Sequence, residues 1–144
     1  LFQNKLDFLI THTDFSTDIA ILKIFPGISA EVVKAVISVK NLKGLILETY
    51  GSGNATTDEE IISLIKHSVK KGMIVLNISQ CTIGKVQQGK YATSLKLEEI
   101  GVISGKDMTT EAAVTKMMFL LGKNFSQKET SKLLGLSLRG EISQ

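Results

Sequence analysis

Residues 44–54 read Gly-Leu-Ile-Leu-Glu-Thr-Tyr-Gly-Ser-Gly-Asn, and this stretch changes character abruptly in its middle. Residues 45–48 are largely apolar and are typical of a short buried strand. Two glycines then bracket Ser52, and a helical pattern starts at Asp58. In open parallel sheets, a strand, a glycine-rich loop and a helix in this order present the loop and the helix N-terminus to a ligand. The same pattern also fits a plain strand-to-helix turn, and it leaves both interpretations open.

The rest of the chain repeats this alternation of strands and helices. Apolar runs predict strands over residues 19–25, 44–49, 73–78 and 102–104, and helical patterns start near residues 30, 58, 91, 109 and 126. The order predicts an α/β fold: a Rossmann-like or flavodoxin-like open parallel sheet of about four strands with helices on both faces. We expect this domain to span residues 19–144 after an interdomain connector, residues 1–18, and its last nine residues to be an extended or frayed tail.

Three helix ends carry recognisable signals. Thr57, with Glu60 three residues on, predicts an N-cap with a capping box. Ser126 and Glu129 predict a second capping box by the same spacing. Gly72 follows a helical stripe at the position where a left-handed backbone ends many helices.

Composition limits the classes of function. The 144 residues fit one domain, and no apolar run reaches the roughly 20 residues of a membrane span. A single cysteine, Cys81, excludes an internal disulfide and suits a reducing cytoplasm. The net charge is only +3, and Arg139 is the one arginine. Without an arginine cluster or a basic stripe interleaved with aromatics, we expect neither nucleic acid nor a membrane as a partner.

Two predicted loops follow strand ends at the edge where such sheets bind ligands, residues 50–54 and 79–84. They offer a phenol, an amide, hydroxyls, a thiol and backbone N–H groups, which suit binding of a small polar molecule. They lack a plausible base, because His12 falls in the connector and His67 on the solvent side of a helix. Metal-ligand spacing and nucleotide fingerprints are also missing, so we expect no metal or cofactor.

Two residues at these strand ends have more than one interpretation. Glu48 interrupts an apolar strand just before the glycine-rich loop, and an unpaired buried carboxylate is too costly. It therefore either faces the ligand crevice or meets a lysine. Cys81 is either a nucleophile or, as is common next to a buried strand, a small hydrophobic residue.

Several motifs, in order and at matching spacing, resemble the C-terminal domain of bacterial type I (cytoplasmic) L-asparaginases from about residue 19 to residue 141. They are Phe25-Pro26-Gly27-Ile28-Ser29, Tyr50-Gly51-Ser52-Gly53-Asn54-Ala55, Ser79-Gln80-Cys81, Gly84-Lys85-Val86, Gly89-Lys90-Tyr91-Ala92-Thr93, Asp107-Met108-Thr109-x-Glu111-Ala112 and Leu138-Arg139-Gly140-Glu141.

The resemblance implies an amidohydrolase that converts asparagine to aspartate and ammonia through a threonine nucleophile. In that family the nucleophile belongs to an N-terminal domain, whose Thr-Gly-Gly-Thr and Gly-Thr-Asp-Thr motifs do not occur in this sequence. Residues 11–14 are superficially similar to the second motif but lack its glycine. The resemblance therefore implies that this chain alone carries no catalytic residue and is inactive.

The resemblance also assigns binding residues and partners. It places Asn54, Tyr50 and Ser52 at the substrate, with Asn54 reaching across a dimer interface to the neighbouring subunit's site. It implies contacts with the chain's own N-terminal domain in a homodimer or tetramer, and asparagine as ligand. Some members carry a second, regulatory asparagine site, which would correspond here to Glu48, Gln80 and Cys81.

The sequence departs from the regulated relatives at Glu48, where they can have arginine. An arginine would clamp a carboxylate, whereas glutamate repels it. Control by asparagine is therefore in question, and an effector pocket would favour an amine.

Two other functions fit the same residues. One is the related amidotransferase subunit that makes ammonia for tRNA-dependent glutamine synthesis. The other is a stand-alone small-molecule sensor that uses the same two loops.

Overall fold

The computed structural model describes residues 11–51, 53, 56–81, 85–86, 92–123 and 125–143. Within these ranges the chain forms four strands and five helices, which alternate as far as the fourth helix and end with two consecutive helices. The strands are β1 (Ile19–Lys23), β2 (Gly44–Thr49), β3 (Ile74–Ser79) and β4 (Ile103–Ser104). The helices are α1 (Ala30–Ile37), α2 (Glu59–Lys70), α3 (Ala92–Glu99), α4 (Thr110–Leu121) and α5 (Gln127–Leu134).

The strands form one parallel sheet in the order β1-β2-β3-β4, which confirms the predicted α/β fold. Because neighbouring strands follow each other in sequence, right-handed crossovers place α1, α2 and α3 on the same face. The opposite face is covered by α4 and α5. In the register of the two central strands, Leu47 lies beside Asn77 and Thr49 beside Ser79.

Side chains alternate between two cores, as the pleat of a strand requires. Leu45 and Leu47 pack under α1, α2 and α3, whereas Ile46 between them packs under α4 and α5. All three are fully buried. Central parallel strands are covered on both faces, which is why β2 reads as a continuous apolar run.

One predicted helix start is wrong by one residue. Asp58, not Thr57, caps α2, and its carboxylate accepts hydrogen bonds from the N–H groups of Glu60 at 2.9 Å and Ile61 at 3.3 Å. An aspartate cap also brings negative charge to the positive end of the helix dipole, which a threonine does not. The other two signals are confirmed: Ser126 and Glu129 form the capping box of α5, and Gly72 follows α2 with φ of +100°.

The end of the chain is not the frayed tail that the sequence predicted. Ile142 is buried in the core under α4 and α5. The backbone N–H of Ser143 donates to Asp107 at 3.0 Å, and the carboxylate of Glu141 forms an ion pair with Lys116 of α4. An apolar anchor and two polar contacts therefore hold these residues against the domain.

No helix in the described part of the chain is long and apolar enough to cross a membrane.

Candidate ligand-binding edge of the sheet

The two loops predicted to bind a ligand begin side by side at the carboxyl ends of β2 and β3. Thr49 and Ser79 are register partners at the ends of these strands. The N–H of Gln80 donates to the carbonyl of Thr49 at 2.8 Å, so the ladder continues one residue beyond the last pair. Both loops therefore leave the sheet from a fixed starting point.

The glycine-rich loop after β2 is tied to β3 by two side chains. The hydroxyl of Ser79 donates to the carbonyl of Gly51 at 2.8 Å, and the amide nitrogen of Asn77 donates to the carbonyl of Gly53 at 3.1 Å. Ser52 and Asn54, which the sequence predicts as substrate ligands, lie outside the described residues. The two tethers fall on the residues that directly precede them in the chain.

Gly53 occupies a position that a larger residue could not enter. Its φ is +100°, in the left-handed region, and a Cβ on it would lie 2.6 Å from a methyl carbon of Val86. Val86 is itself fixed, because its N–H donates to the carbonyl of Lys106 at 2.8 Å. Gly51 also has positive φ, +60°, but a Cβ there would meet nothing within 4 Å. Of these two loop glycines, only Gly53 is therefore required for steric as well as conformational reasons.

Behind the loop, Thr49 and Asn77 form a polar pair in the core under α1, α2 and α3. Both are fully buried, and the Thr49 hydroxyl donates to Oδ1 of Asn77 at 2.6 Å. Neither residue was among those predicted from the sequence to belong to the site. The available signal was a lone asparagine within the apolar strand β3, since buried polar side chains almost always have a specific partner.

Tyr50 follows β2 directly, and 38% of its surface is exposed. The residue is therefore accessible at the edge where the sequence predicted a substrate ligand.

The carboxylate of Glu48 has two partners, an ammonium group and a hydroxyl group. Lys23 of β1 lies 3.6 Å from Oε2, and the hydroxyl of Thr110, in the first turn of α4, donates to Oε1 at 2.6 Å. The Glu48 side chain is 13% exposed, compared with 63% for Lys23. Of the two alternatives left open by the sequence, the structure shows the ion pair, and a role in effector binding stays a prediction.

Gln80 and Cys81, the other predicted effector residues, lie directly after β3. The Gln80 side-chain nitrogen donates to the carbonyls of Ile24 at 2.5 Å and Glu48 at 2.8 Å, so it joins the ends of β1 and β2. The N–H of Cys81 donates to Ser79 Oγ at 3.0 Å. Its side chain is exposed, so of the two interpretations of Cys81 the structure does not support a small hydrophobic residue packed beside the strand.

In the loop before α4, the two carboxylate oxygens of Asp107 contact two different residues. Asp107 accepts a hydrogen bond from Ser143 at 3.0 Å, and its other oxygen lies 3.6 Å from Lys85. The hydrogen bonds with Ser143 lower the pKa of Asp107, and Lys85 contributes in the same direction. The charged carboxylate of Asp107 thus joins Ser143 to Lys85.

Both histidines are exposed, as the sequence predicted, and lie away from this edge. His67 is in the last turn of α2, and His12 contacts Lys123 beyond the last residue of α4. These helices begin at the carboxyl edge and end near the opposite one. The described residues contain no group of three or more histidine, cysteine, aspartate or glutamate side chains that could hold a metal ion.

This architecture defines an α/β domain whose parallel sheet has two loops leaving side by side at its carboxyl edge. The model of the glutaminase/asparaginase C-terminal domain family matches residues 18–134, so the chain belongs to that family.

Comparisons with individual proteins are consistent with this family membership. The chain is 38% identical to L-asparaginase 1 of Escherichia coli K12 over 135 residues, which cover 94% of this chain and 40% of that protein. It is 37% identical to a glutamyl-tRNA(Gln) amidotransferase subunit of Pyrococcus furiosus over 125 residues, covering 87% of this chain and 28% of that protein. The crystal structure of L-asparaginase I from Vibrio cholerae superimposes with a TM-score of 0.85 at 40% identity, over 90% of this chain and 39% of that one. The chain thus spans about two fifths of the length of these two asparaginases.

Proposed function

We propose that this chain is the C-terminal domain of an L-asparaginase that hydrolyses asparagine to aspartate and ammonia in the cytoplasm. In this proposal the domain contributes a hydrogen-bonding loop to a substrate site whose reacting groups lie in another part of the protein. The observation that carries it is the double tether of the loop, in which Ser79 holds the carbonyl of Gly51 and Asn77 that of Gly53.

The chemistry of the edge supports a binding role. Amide hydrolysis by covalent catalysis needs a nucleophile within hydrogen-bond reach of a base. In the described part of the edge, the candidate nucleophile is the thiol of the exposed Cys81. The backbone N–H of this residue donates a hydrogen bond to the hydroxyl of Ser79, and a serine hydroxyl is not a base near neutral pH. Both histidines lie elsewhere. The groups that remain donate and accept hydrogen bonds, as residues that orient a substrate do.

Within the loop, we assign Asn54, Tyr50 and Ser52 to substrate binding. An asparagine side chain offers a donor and an acceptor together, which match the ammonium and carboxylate groups of an amino acid. We further propose that Asn54 serves the site of a neighbouring subunit, so that the active protein is a homodimer or tetramer. This domain would then act together with its own N-terminal domain and that of its partner.

An effector site at Glu48, Gln80 and Cys81 forms a separate part of the proposal. The carboxylate of Glu48 is held toward Thr110 and Lys23. Lys23 offsets part of its negative charge, but its ammonium is mostly exposed and therefore well screened. A ligand carboxylate placed there would be repelled, so an effector of this protein would present an amine to Glu48.

The similarity to the amidotransferase subunit of Pyrococcus furiosus favours a second candidate, release of ammonia for tRNA-dependent amidation. A stand-alone sensor is the third. Each candidate predicts a different pattern of ammonia release by this domain and by the complete protein that contains it.

The experiment measures ammonia release from free asparagine and free glutamine by both proteins. Our proposal predicts release from asparagine by the complete protein and none by the isolated domain. Activity that appears only with a tRNA substrate and partner subunit supports the amidotransferase. Binding of a small molecule without any release supports the sensor.

A further inference from the structure

We propose that Thr49 and Asn77 are positioning residues of the ligand site, which fix the carbonyl of Gly53 and thereby the loop that carries the ligand-binding groups. This inference rests on the proposed function for its effect on substrate. Its structural part concerns only the contact between the pair and the loop.

The direction of the hydrogen bonds follows from the chemistry of the three groups. A backbone carbonyl only accepts, so the side chain of Asn77 must turn its nitrogen toward Gly53, 3.1 Å away. Its oxygen then faces Thr49, and the threonine hydroxyl has to donate its single proton across 2.6 Å. The carbonyl of Gly53 thus sets the orientation of the amide. Thr49, whose hydroxyl also lies 3.2 Å from the carbonyl of Ile78, supplies the donor that the Asn77 oxygen needs in that orientation.

Burial makes the arrangement hard to replace. Both side chains are fully buried in the described structure, so bulk water does not take over a lost contact at either one. The backbone of Asn77 is fixed as well, because its carbonyl accepts the N–H of Gly105 at 2.7 Å. Gly53 also lies close to Val86, since a Cβ on Gly53 would come within 2.6 Å of a methyl carbon of that residue. A directed hydrogen bond and an apolar contact thus both hold the loop at Gly53.

Removing the hydroxyl without changing the shape tests this role. Valine has nearly the volume of threonine and suits a strand, but Thr49→Val leaves Oδ1 of Asn77 without that donor. Thr49→Ser keeps the hydroxyl and loses only a methyl group. Ser68→Ala is the matched control: it removes another buried hydroxyl, which donates to Leu64 at 3.0 Å within α2, toward the opposite end of the sheet.

The experiment uses the complete protein and reads two quantities. The first is hydrogen–deuterium exchange of peptides that cover residues 50–56. The second is the steady-state kinetics of ammonia release from asparagine, well below the melting temperature of each variant. If only a fraction of loops is competent to bind, the apparent affinity falls by that fraction while the chemical step is unchanged.

We expect Thr49→Val to accelerate exchange of the loop and to raise KM by about 10-fold or more, with kcat within about threefold. Thr49→Ser should restore both quantities to near wild type, and Ser68→Ala should change neither. A purely structural role predicts the reverse split, in which a smaller active fraction lowers kcat and leaves KM unchanged. That split would overturn the inference.

Unchanged exchange of the loop in Thr49→Val would also overturn it, whatever the kinetics. Faster exchange with unchanged KM would show that the pair holds the loop but does not position it for substrate, which contradicts the proposal. If the wild-type protein releases no ammonia while Thr49→Val accelerates exchange, the proposed function fails and the positioning of the loop is supported.

Discussion

Lys116 and Glu141 form a nearly buried ion pair, with 2.6 Å between Nζ and Oε1 and side-chain exposures of 6% and 13%. The ammonium of Lys116 also donates to the carbonyl of Leu134 at 2.9 Å and to that of Leu136. Its three donors thus meet three acceptors, which favours the charged form. Burial lowers the pKa of Lys116, and the pairing with Glu141 offsets part of that effect. The pair fastens the end of the chain to α4.

The first prediction concerns acid stability. Burial acts to raise the pKa of Glu141, but hydrogen bonds from Lys116 and from the N–H groups of Leu138 and Arg139 outweigh it and lower the pKa from 4.5 to about 2. A depressed carboxylate pKa stabilises the fold above the unfolded value and loses that contribution as pH falls through the folded value. We expect Glu141→Gln to cost about 2 to 3 kcal/mol at pH 7.

The cost should shrink as the pH falls from 4.5 toward 2, because the wild-type carboxylate becomes protonated there. Urea denaturation of both proteins at several pH values measures it, with the exposed Glu98→Gln on α3 as the control. A difference that is the same at pH 7 and pH 3 would mean that the charge of Glu141 contributes nothing.

The second prediction tests the cap of α2. Asp58→Ala removes the acceptor for two N–H groups and should lower the free energy of unfolding by about 1 kcal/mol. The neighbouring Thr57→Ala should change it by less than about 0.5 kcal/mol, since Thr57 is exposed and does not cap the helix. Equilibrium unfolding in urea distinguishes the two. Equal losses of unfolding free energy in the two variants would instead support Thr57, the N-cap predicted from the sequence.

The third prediction compares the two loop glycines. Alanine at either position pays for a left-handed backbone, about 1 kcal/mol. Gly53→Ala also drives a methyl group to 2.6 Å from Val86, whereas Gly51→Ala enters open space. We expect Gly53→Ala to lower thermal stability clearly more than Gly51→Ala and to impair substrate binding. Equal melting temperatures would argue against close packing of Gly53.

The fourth prediction concerns the effector. Glu48→Arg replaces a repelling carboxylate with a group that binds carboxylates in bidentate geometry, so it should create or strengthen a response to asparagine. Glu48→Gln is the control, since it removes the charge but keeps an oxygen for Thr110. Calorimetric titration of asparagine into the complete protein measures the binding. Identical titrations for Glu48→Arg and the wild type would refute an effector site at this position.

Local sequence signals were sufficient for the fold. The strand β2 was predicted with its observed bounds because an apolar run stops at a glycine-rich loop on one side and starts at a glycine on the other. The first residue of a helix was harder to predict from the sequence. Thr57 and Asp58 are both good N-cap residues for α2, and which of them caps the helix depends on where the preceding loop ends. The tail was misjudged because its anchor, Lys116, lies 25 positions before Glu141 and looks like an ordinary surface lysine in sequence.

The candidate site was only partly predictable for a similar reason. Motif order located the loops, and a carboxylate in an apolar strand drew attention to Glu48. The same reasoning applies to Asn77, a single amide among apolar neighbours. However, its partners Thr49 and Gly53 are 28 and 24 residues away in the chain, and only the sheet register brings them together.

We propose that this domain contributes a hydrogen-bonding loop to a reaction whose reacting groups lie in another part of the protein. Measuring kcat/KM for asparagine in the complete protein with Asn54→Ala tests this proposal most directly. We expect kcat/KM to fall about 5- to 150-fold, which corresponds to about 1 to 3 kcal/mol, the scale of one lost hydrogen bond to a charged group. An unchanged kcat/KM would contradict the proposal.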